Sequence, residues 1–175
     1  MKNFFFFPTF PRPFKNIEVI GHAVTVLSTL GIFNYEMIIT IDGSENKYAE
    51  EIVRKFGGHP NIKFIGLISR EQVYRYYDQI DCLIFPSKLE TWGLPISEFK
   101  QFGKPMIVSD LPYAKETVSK YDKVCFFNPT NAADLVRQMR KQIEEVAVVY
   151  DETNFINYPD PIVNSWAQLF SKLLN

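Results

Sequence analysis

Short apolar runs alternate with amphipathic segments along nearly the whole chain, and this alternation constrains the fold more than any other feature of the sequence. The run Phe4 to Phe7 is apolar at every position, as expected for a strand that is covered on both faces. Strands are predicted over residues 4–7, 35–41, 62–68, 82–86, 106–109 and 124–127. Helices are predicted after most of them, beginning near residues 16, 44, 69, 95 and 131. This order predicts an α/β fold with a doubly wound, Rossmann-like parallel sheet of about six strands.

Polar residues and glycines predict where several of these helices begin and end. Asn16 and Asn131 are placed to cap the helices that follow them. Ser69, with Gln72 three positions later, has the pattern of a capping box. Gly57–Gly58 follows the helix over 44–56, and a glycine there easily adopts the left-handed conformation in which many helices end.

Length and composition fit one domain with a sizeable core. The chain has 175 residues, of which 46% are apolar, and this suits one domain rather than two full ones. Nineteen Lys and Arg residues against twenty Asp and Glu residues give a net charge of −1, which argues against nucleic-acid binding. Cys82 and Cys125 lie inside apolar runs and are predicted to be buried and free. No apolar stretch approaches the ~20 residues of a membrane span, so the protein is predicted to be cytoplasmic.

The chain is predicted to have one main domain and a tail. Residues 1–152 form the Rossmann-like domain, and 153–175 form a polar, proline-bearing loop followed by a helix over 162–174. The apolar stripe of that helix, which carries Trp166, is expected to pack on this domain or on a missing partner.

The loop after the fourth predicted strand is where a ligand is expected, because ligands of open α/β sheets bind beyond the carboxyl ends of the strands. It leads into a short predicted helix over 95–102, which has Pro95 at its first position and Gly103 at its end. The free N–H groups of Gly93 and Leu94 predict an anion site at the start of this helix, suited to a phosphate.

Two carboxylates flank the predicted anion site. Glu90 precedes the short helix, and Glu98 lies about one turn inside it. Carboxylates repel a phosphate, but they accept hydrogen bonds from hydroxyl groups such as those of sugars. A ligand with phosphates in the middle and sugar hydroxyls on either side satisfies this pattern, and nucleotide-sugars are built in that way.

The sequence around these carboxylates resembles the signature of a known enzyme family. Residues 85–105 read Phe-Pro-Ser-Lys-Leu-Glu-Thr-Trp-Gly-Leu-Pro-Ile-Ser-Glu-Phe-Lys-Gln-Phe-Gly-Lys-Pro, similar to the signature of glycosyltransferase family 4, also called group 1. The segments 8–16, 61–66 and 109–116 are similar to other parts of the same family. The resemblance implies the C-terminal, donor-binding half of the two-domain GT-B architecture. It also implies a retaining, metal-independent enzyme with no cofactor, whose substrate is a nucleoside diphosphate sugar.

The resemblance assigns roles to five residues of the signature and the first loop. Glu90 would orient the donor sugar near its anomeric carbon, and Glu98 would bind the ribose hydroxyls. The backbone of Gly93 and Leu94 would hold the diphosphate. Lys15 would neutralise the departing diphosphate, since a fixed cation stabilises charge that grows in the transition state.

Five further residues complete the donor-binding set that the resemblance implies. Ile68 falls where the family's backbone meets the base. Thr9 stands where the family commonly has an arginine, and Arg12 is the candidate to replace that cation. Thr91 and Trp92 lie between the two glutamates, and the Trp92 side chain either covers the loop or packs on the sheet.

The resemblance also implies partners and a cellular role. The acceptor would be a glycan or a lipid-linked glycan, bound by an N-terminal domain or subunit, and the protein would contact the inner membrane face peripherally. Surface polysaccharide synthesis is the common role of the family's bacterial members. Two alternatives remain, a donor-binding subunit that needs a separate acceptor-binding chain and a catalytically silent interaction domain.

Overall fold

A computed structural model describes residues 2–144, 150–152, 168, 170 and 171. The strands are β1 (Asn3–Phe7), β2 (Tyr35–Ile39), β3 (Ile62–Phe64), β4 (Cys82–Phe85), β5 (Met106–Ser109) and β6 (Val124–Phe127). The helices are α1 (Ile17–Thr29), α2 (Lys47–Phe56), α3 (Arg70–Gln79), α4 (Leu94–Phe99), α5 (Pro112–Val118) and α6 (Ala132–Ile143). Single 3-10 turns at Pro13–Lys15 and Lys100–Phe102 precede α1 and follow α4.

The six strands form one parallel sheet in the order β3-β2-β1-β4-β5-β6. Phe5 pairs with Met37 of β2 on one side and with Cys82 of β4 on the other. The chain therefore reverses its direction of winding between β1 and β4, which is the point where doubly wound sheets bind their ligands. The α/β, Rossmann-like sheet predicted from the sequence is confirmed.

Aromatic residues of β1 hold the centre of the core. Phe5, Phe6 and Phe7 are completely buried, as a strand covered on both faces requires. Phe6 stacks on Tyr76 of α3 at 4.9 Å between ring centroids. Phe7 meets Phe85 of β4 edge-to-face at 5.7 Å, so the two strands at the switch point are joined by packing as well as by hydrogen bonds.

Three strands are shorter than predicted, β4 by the single residue Pro86, and one helix was not predicted. β2 ends at Ile39 and β3 at Phe64, although Gly66 still donates a backbone hydrogen bond to the carbonyl of Ile41. The helix α5 spans seven residues and begins at a proline, Pro112. A helix of about two turns shows too few apolar positions to establish a helical period, so only the proline signalled it.

The predicted helix ends are half confirmed. Ser69 and Gln72 form the capping box of α3, and the Asn131 side chain accepts a hydrogen bond from Ala133 at the start of α6. The prediction for Gly57 is wrong, because this residue has a φ of −66° and lies in the right-handed region. Asn16 stands at the N-cap position of α1 as predicted, but its side chain makes no capping hydrogen bond and donates elsewhere.

The cysteines are buried and free, as predicted. The predicted helix over 162–174 and its Trp166 fall outside the described residues, apart from the helical positions 168, 170 and 171. Among the residues that the structure describes, no helix is long and apolar enough to cross a membrane.

Candidate functional site

The loops after β1 and β4 meet at the carboxyl edge of the sheet, and Asn16 joins them. The Asn16 amide nitrogen donates to the carbonyl of Pro86 at 3.0 Å and to that of Pro129 at 2.8 Å. The Phe14 carbonyl accepts from the backbone N–H of Lys88 at 2.7 Å. Asn16 is buried and left-handed, with a φ of 59°, a conformation that asparagine tolerates better than most residues.

Asn16 therefore ties the first loop to the ends of β4 and β6. Sequence reasoning missed this function. The only signal was an asparagine at a strand-to-helix junction, and that same signal also predicts an ordinary cap.

Lys15 and Glu90, which are 75 positions apart in the chain, form an ion pair at this junction. The Lys15 Nζ lies 2.5 Å from Oε1 of Glu90. The two side chains are 20% and 13% exposed, respectively. The ammonium also lies 5.6 Å from the ring centroid of Phe14 and 5.9 Å from that of Phe85, within the range of a cation-π contact. The pair is thus only partly solvated, and bulk salt screens it less than it would an exposed pair.

Tyr113 of α5 lies next to Glu90 and was not found from the sequence. Its hydroxyl donates to the Ser87 carbonyl at 2.7 Å and so fastens the loop after β4 to α5. Burial raises the pKa of the Tyr113 phenol well above its ordinary value, and the negative charge of Glu90 raises it further. The phenol is therefore neutral at physiological pH and remains a hydrogen-bond donor.

Glu98 of α4 faces α3 rather than the ion pair. Its Oε1 accepts from the guanidinium Nη2 of Arg70 at 3.1 Å, and its Oε2 lies 3.4 Å from the Tyr77 hydroxyl. Tyr77 is completely buried, and burial raises the pKa of its phenol, with a further contribution from Glu98. Arg70 and Tyr77 were not predicted as site residues, because nothing in the linear pattern shows that α3 packs beside α4.

The loop between the two glutamates is shaped by Gly93. This glycine has a φ of +80°, and a Cβ there would come within 3.2 Å of the Ile96 side chain. A larger residue would therefore meet both backbone strain and crowding. Leu94 is exposed, and it begins an α4 that ends at residue 99, with the predicted remainder of the helix wound as a 3-10 turn.

Thr91 and Trp92 lie at the surface of the same loop. Both are exposed, and the Trp92 indole N–H donates to the Ser97 hydroxyl at 2.9 Å. The Trp92 carbonyl accepts from the hydroxyl of Thr117 in α5. The Trp92 indole thus lies against α4 rather than on the sheet.

The other three predicted residues lie in the loops after β1 and β3 at the same edge. The Thr9 backbone N–H donates to the Thr40 hydroxyl at 2.7 Å, and that hydroxyl donates to the Thr9 carbonyl at 2.9 Å. The Arg12 guanidinium lies 4.9 Å from the ring centroid of Phe10 and is exposed. Ile68 is half-buried and directly precedes the capping box of α3.

Exposed apolar side chains surround these polar groups. They belong to the loops after β1, β3 and β4 or to the first residue of α4, and they are Phe10, Phe14, Leu67, Leu89, Trp92 and Leu94. This set is called the apolar rim below. It lies at the same edge of the sheet as Lys15 and Glu90, because parallel strands all end there.

A cavity of about 440 Å³ lies farther along this edge, beyond β5 and β6. Its lining includes Asp110, Asp134 and Asp151 together with Lys115 and Arg137. None of the residues predicted from the sequence lines it, so the cavity and the predicted site are separate features. Within the described part of the chain, no group of three or more His, Cys, Asp or Glu residues could hold a metal ion.

A doubly wound parallel sheet with charged groups at its switch point places the chain in the class of Rossmann-like α/β domains. Residues 1–155 match the family model described as glycosyl transferases group 1, so the chain belongs to this family. The domain is the C-terminal half of a GT-B architecture. The family that the sequence resembles is thereby confirmed.

Two curated relatives come from Escherichia coli. The chain is 27% identical over 140 residues to the serotype-specific mannosyltransferase WbdA, an alignment that covers 78% of this chain and 17% of WbdA. It is 26% identical over 108 residues to the O-antigen biosynthesis glycosyltransferase WclY, covering 59% of this chain and 29% of WclY. The chain therefore spans less than a third of the length of each of these relatives.

Solved structures share the fold at low sequence identity. The Anabaena protein Alr3699/HepE, crystallised with UDP and glucose, superimposes with a TM-score of 0.70 and 19% identity, over 82% of this chain and 39% of that one. The sucrose-phosphate synthase from Thermosynechococcus elongatus superimposes with a TM-score of 0.67 and 20% identity, over 82% and 37%.

Proposed function

We propose that this chain is the donor-binding half of a retaining glycosyltransferase, which binds a nucleoside diphosphate sugar at the carboxyl ends of β1 and β4. The hexose goes to a hydroxyl group of a glycan or lipid-linked acceptor. The observation that carries the proposal is the meeting of Lys15 and Glu90 at the switch point, 2.5 Å apart. A cation and a carboxylate held together there offer one group for a diphosphate and one for sugar hydroxyls.

In the proposed reaction, the bond between the anomeric carbon and the diphosphate oxygen breaks, and the electron pair stays on the oxygen. The acceptor oxygen forms the new bond to the anomeric carbon on the same face, and its proton passes to the departing diphosphate oxygen. Lys15 stabilises the charge that develops on the leaving diphosphate. Glu90 accepts hydrogen bonds from hydroxyls of the sugar and so fixes the anomeric carbon in position.

Glu98 is the proposed ribose ligand. Its two oxygens each have a contact within the protein, from Arg70 and from Tyr77, and each retains a further lone pair for a ribose hydroxyl. The backbone of Gly93 and Leu94 is proposed to bind the diphosphate, and the backbone of Ile68 the base. Thr9, Arg12, Thr91 and Trp92 complete the donor site at its margins.

Isothermal titration calorimetry with a panel of UDP-, GDP- and dTDP-sugars tests the donor site. The panel is needed because the relatives differ, one being named a mannosyltransferase and another having been crystallised with UDP and glucose. One donor of the panel should bind, and Glu98→Ala should weaken its binding roughly tenfold, the size of one lost hydrogen bond to a charged group.

The matched control is Glu71→Ala, since Glu71 is an exposed glutamate of α3 that pairs with Arg75. This variant should bind the donor as the unchanged protein does. If no member of the panel binds and Glu98→Ala changes nothing, the donor site does not exist, and the alternative of a silent interaction domain replaces it.

A second candidate is a donor-binding subunit whose acceptor site lies on a separate chain. It is favoured by the apolar rim, whose six exposed side chains surround the proposed site and suit a contact with another domain. Purification from the native host should then recover a second polypeptide bound to this one. Sugar transfer by this chain as a lone monomer would contradict it.

The proposed cellular role is surface polysaccharide synthesis in the cytoplasm, at the inner membrane face. It is supported by the names of the E. coli relatives, one of which is an O-antigen biosynthesis glycosyltransferase. Deletion of the gene in its host should change the size or sugar content of the surface polysaccharide, and fractionation should find the protein loosely bound to membranes. An unaltered polysaccharide would contradict this role.

A further inference from the structure

The ion pair between Lys15 and Glu90 joins two side chains that the proposed function assigns to opposite parts of the donor. Lys15 is assigned to the diphosphate and Glu90 to the sugar hydroxyls. Here they neutralise each other at 2.5 Å, and both are largely withdrawn from water. A diphosphate can receive the full charge of Lys15 only if Glu90 finds another partner.

We propose that Glu90 makes the site discriminate between a nucleoside diphosphate sugar and the free nucleoside diphosphate, so that the site holds its substrate and releases its product. This inference rests on the proposed function. It assigns Glu90 a second task, setting ligand specificity, in addition to orienting the sugar.

The substrate satisfies both members of the pair. Hydroxyls of the sugar donate hydrogen bonds to the Glu90 carboxylate and replace the ammonium as its partner. Lys15 is then free to turn to the diphosphate, which carries one charge on each phosphate. Each charged group of the protein exchanges one partner for another, and neither is left alone in a partly dry site.

The free nucleoside diphosphate satisfies only one member of the pair. It has no hydroxyl beyond its terminal phosphate, and that phosphate gains a second negative charge near neutral pH, because its second pKa is about 6. Either Lys15 stays with Glu90 and the phosphate lacks its cation, or Lys15 moves and leaves Glu90 unpaired beside a dianion. Both outcomes weaken binding of the product.

The surroundings of Glu90 offer its carboxylate little replacement for the Lys15 ammonium. Its side chain is only 13% exposed, so water cannot fully replace the lost ammonium. The Tyr113 hydroxyl nearby already donates to the Ser87 carbonyl. The Phe14 and Phe85 rings beside Lys15 keep solvent away from the cation as well.

Calorimetry on the unchanged chain and on Glu90→Gln tests the inference, with the best donor of the panel and the nucleoside diphosphate of the same base. Glutamine keeps the shape and removes the charge, so Glu90→Gln should bind the nucleoside diphosphate roughly tenfold more tightly. Its affinity for the sugar donor should stay equal or fall, so that the preference for the donor shrinks. An unchanged ratio of the two affinities in Glu90→Gln overturns the inference.

The matched control is Glu36→Gln, because Glu36 pairs with Lys2 at 2.7 Å on the amino edge of the sheet. It should leave both affinities unchanged. A measurement on the unchanged chain gives an independent check, with the methyl ester of the terminal phosphate as the probe. This ester lacks both the second charge and the sugar, so it should bind more weakly than the donor and more tightly than the free diphosphate.

Tighter binding of the free diphosphate than of its methyl ester would also overturn the inference. The proposed function fails in a different way, namely when the unchanged chain binds no nucleotide of any kind. The two failures therefore cannot be confused.

Discussion

The two edges of the sheet have the same two features, a buried asparagine and a lysine-glutamate ion pair, but they differ in solvent exposure. Each edge has a buried asparagine that donates to two backbone carbonyls, Asn16 at the carboxyl edge and Asn61 at the amino edge. Each edge also has a lysine-glutamate ion pair close to its asparagine in the fold, Lys15 with Glu90 and Lys2 with Glu36.

The difference lies in how far the charges are withdrawn from water. The Lys2 side chain is 47% exposed, and that of Lys15 only 20%. An exposed ion pair contributes about 0–1 kcal/mol to stability. In a buried pair, the attraction between the charges barely offsets the cost of desolvating them. At the amino edge the charges are solvated, so their desolvation cost is small. At the carboxyl edge the charges are partly buried, and we infer that binding a ligand is what compensates their desolvation.

The largest expected effect on stability is that of Asn16→Ala. It removes two hydrogen bonds to buried carbonyls and places an alanine at a φ of 59°, so the free energy of unfolding should fall by about 3 kcal/mol. Urea denaturation followed by circular dichroism measures it. Asn61→Ala, which has no positive φ, should lose about 2 kcal/mol. Equal losses would show that the left-handed backbone at Asn16 carries no strain.

Next in size is the pair of variants Lys15→Met and Lys2→Met. Lys15→Met leaves Glu90 uncompensated and should lower the free energy of unfolding by about 2 kcal/mol, while Lys2→Met should stay within about 0.5 kcal/mol. The double variant Lys15→Met with Glu90→Gln should recover most of the loss. Chemical denaturation decides between the outcomes, and no recovery in the double variant would show that Lys15 acts through its packing instead.

The difference between the edges also shows what the sequence could predict. The strands and the signature of residues 85–105 depend on local pattern, and the order of elements was enough to place Glu90 and Glu98 at the carboxyl edge. The Lys15–Glu90 contact joins residues 75 positions apart, and the role of Asn16 depends on the carbonyl of Pro129. Such contacts depend on the order of the strands and on the path of the loops, and the local hydrophobic periodicity of the sequence encodes neither.

A smaller effect is expected from alkaline pH. Burial raises the pKa of Tyr113 at the carboxyl edge and of Tyr35 at the amino edge well above 10, and that of Tyr121 to about 12. The unfolded chain therefore ionises first, and the stability present below pH 10 is lost as the pH rises towards the folded values. Each phenol contributes at most about 1.4 kcal/mol per pH unit.

Tyr113→Phe and Tyr35→Phe should each flatten the fall in unfolding free energy between pH 10 and 12, as measured by urea denaturation at several pH values. Only Tyr113→Phe should also weaken donor binding at neutral pH, because its hydroxyl fastens the loop that carries Glu90. An equal effect of both variants on binding would remove the distinction between the edges.

The smallest expected difference in stability separates two left-handed glycines, Gly93 at the carboxyl edge and Gly31 at the amino edge. Both have a positive φ, and alanine at either should cost about 1 kcal/mol. A Cβ at Gly31 meets nothing within 4 Å, whereas one at Gly93 comes within 3.2 Å of the Ile96 side chain. Gly93→Ala should therefore be the slightly less stable variant in thermal denaturation.

The two glycine variants should differ much more in binding than in stability. Gly93 lies between Glu90 and Glu98 and sets the path of the backbone proposed to meet the diphosphate, so a displaced loop should lower donor affinity in calorimetry. Gly31→Ala should bind the donor normally despite its similar loss of stability. Because the strain is nearly the same in both, unequal binding would trace to the position of the loop, and equal binding would show that the Gly93 backbone lies outside the donor site.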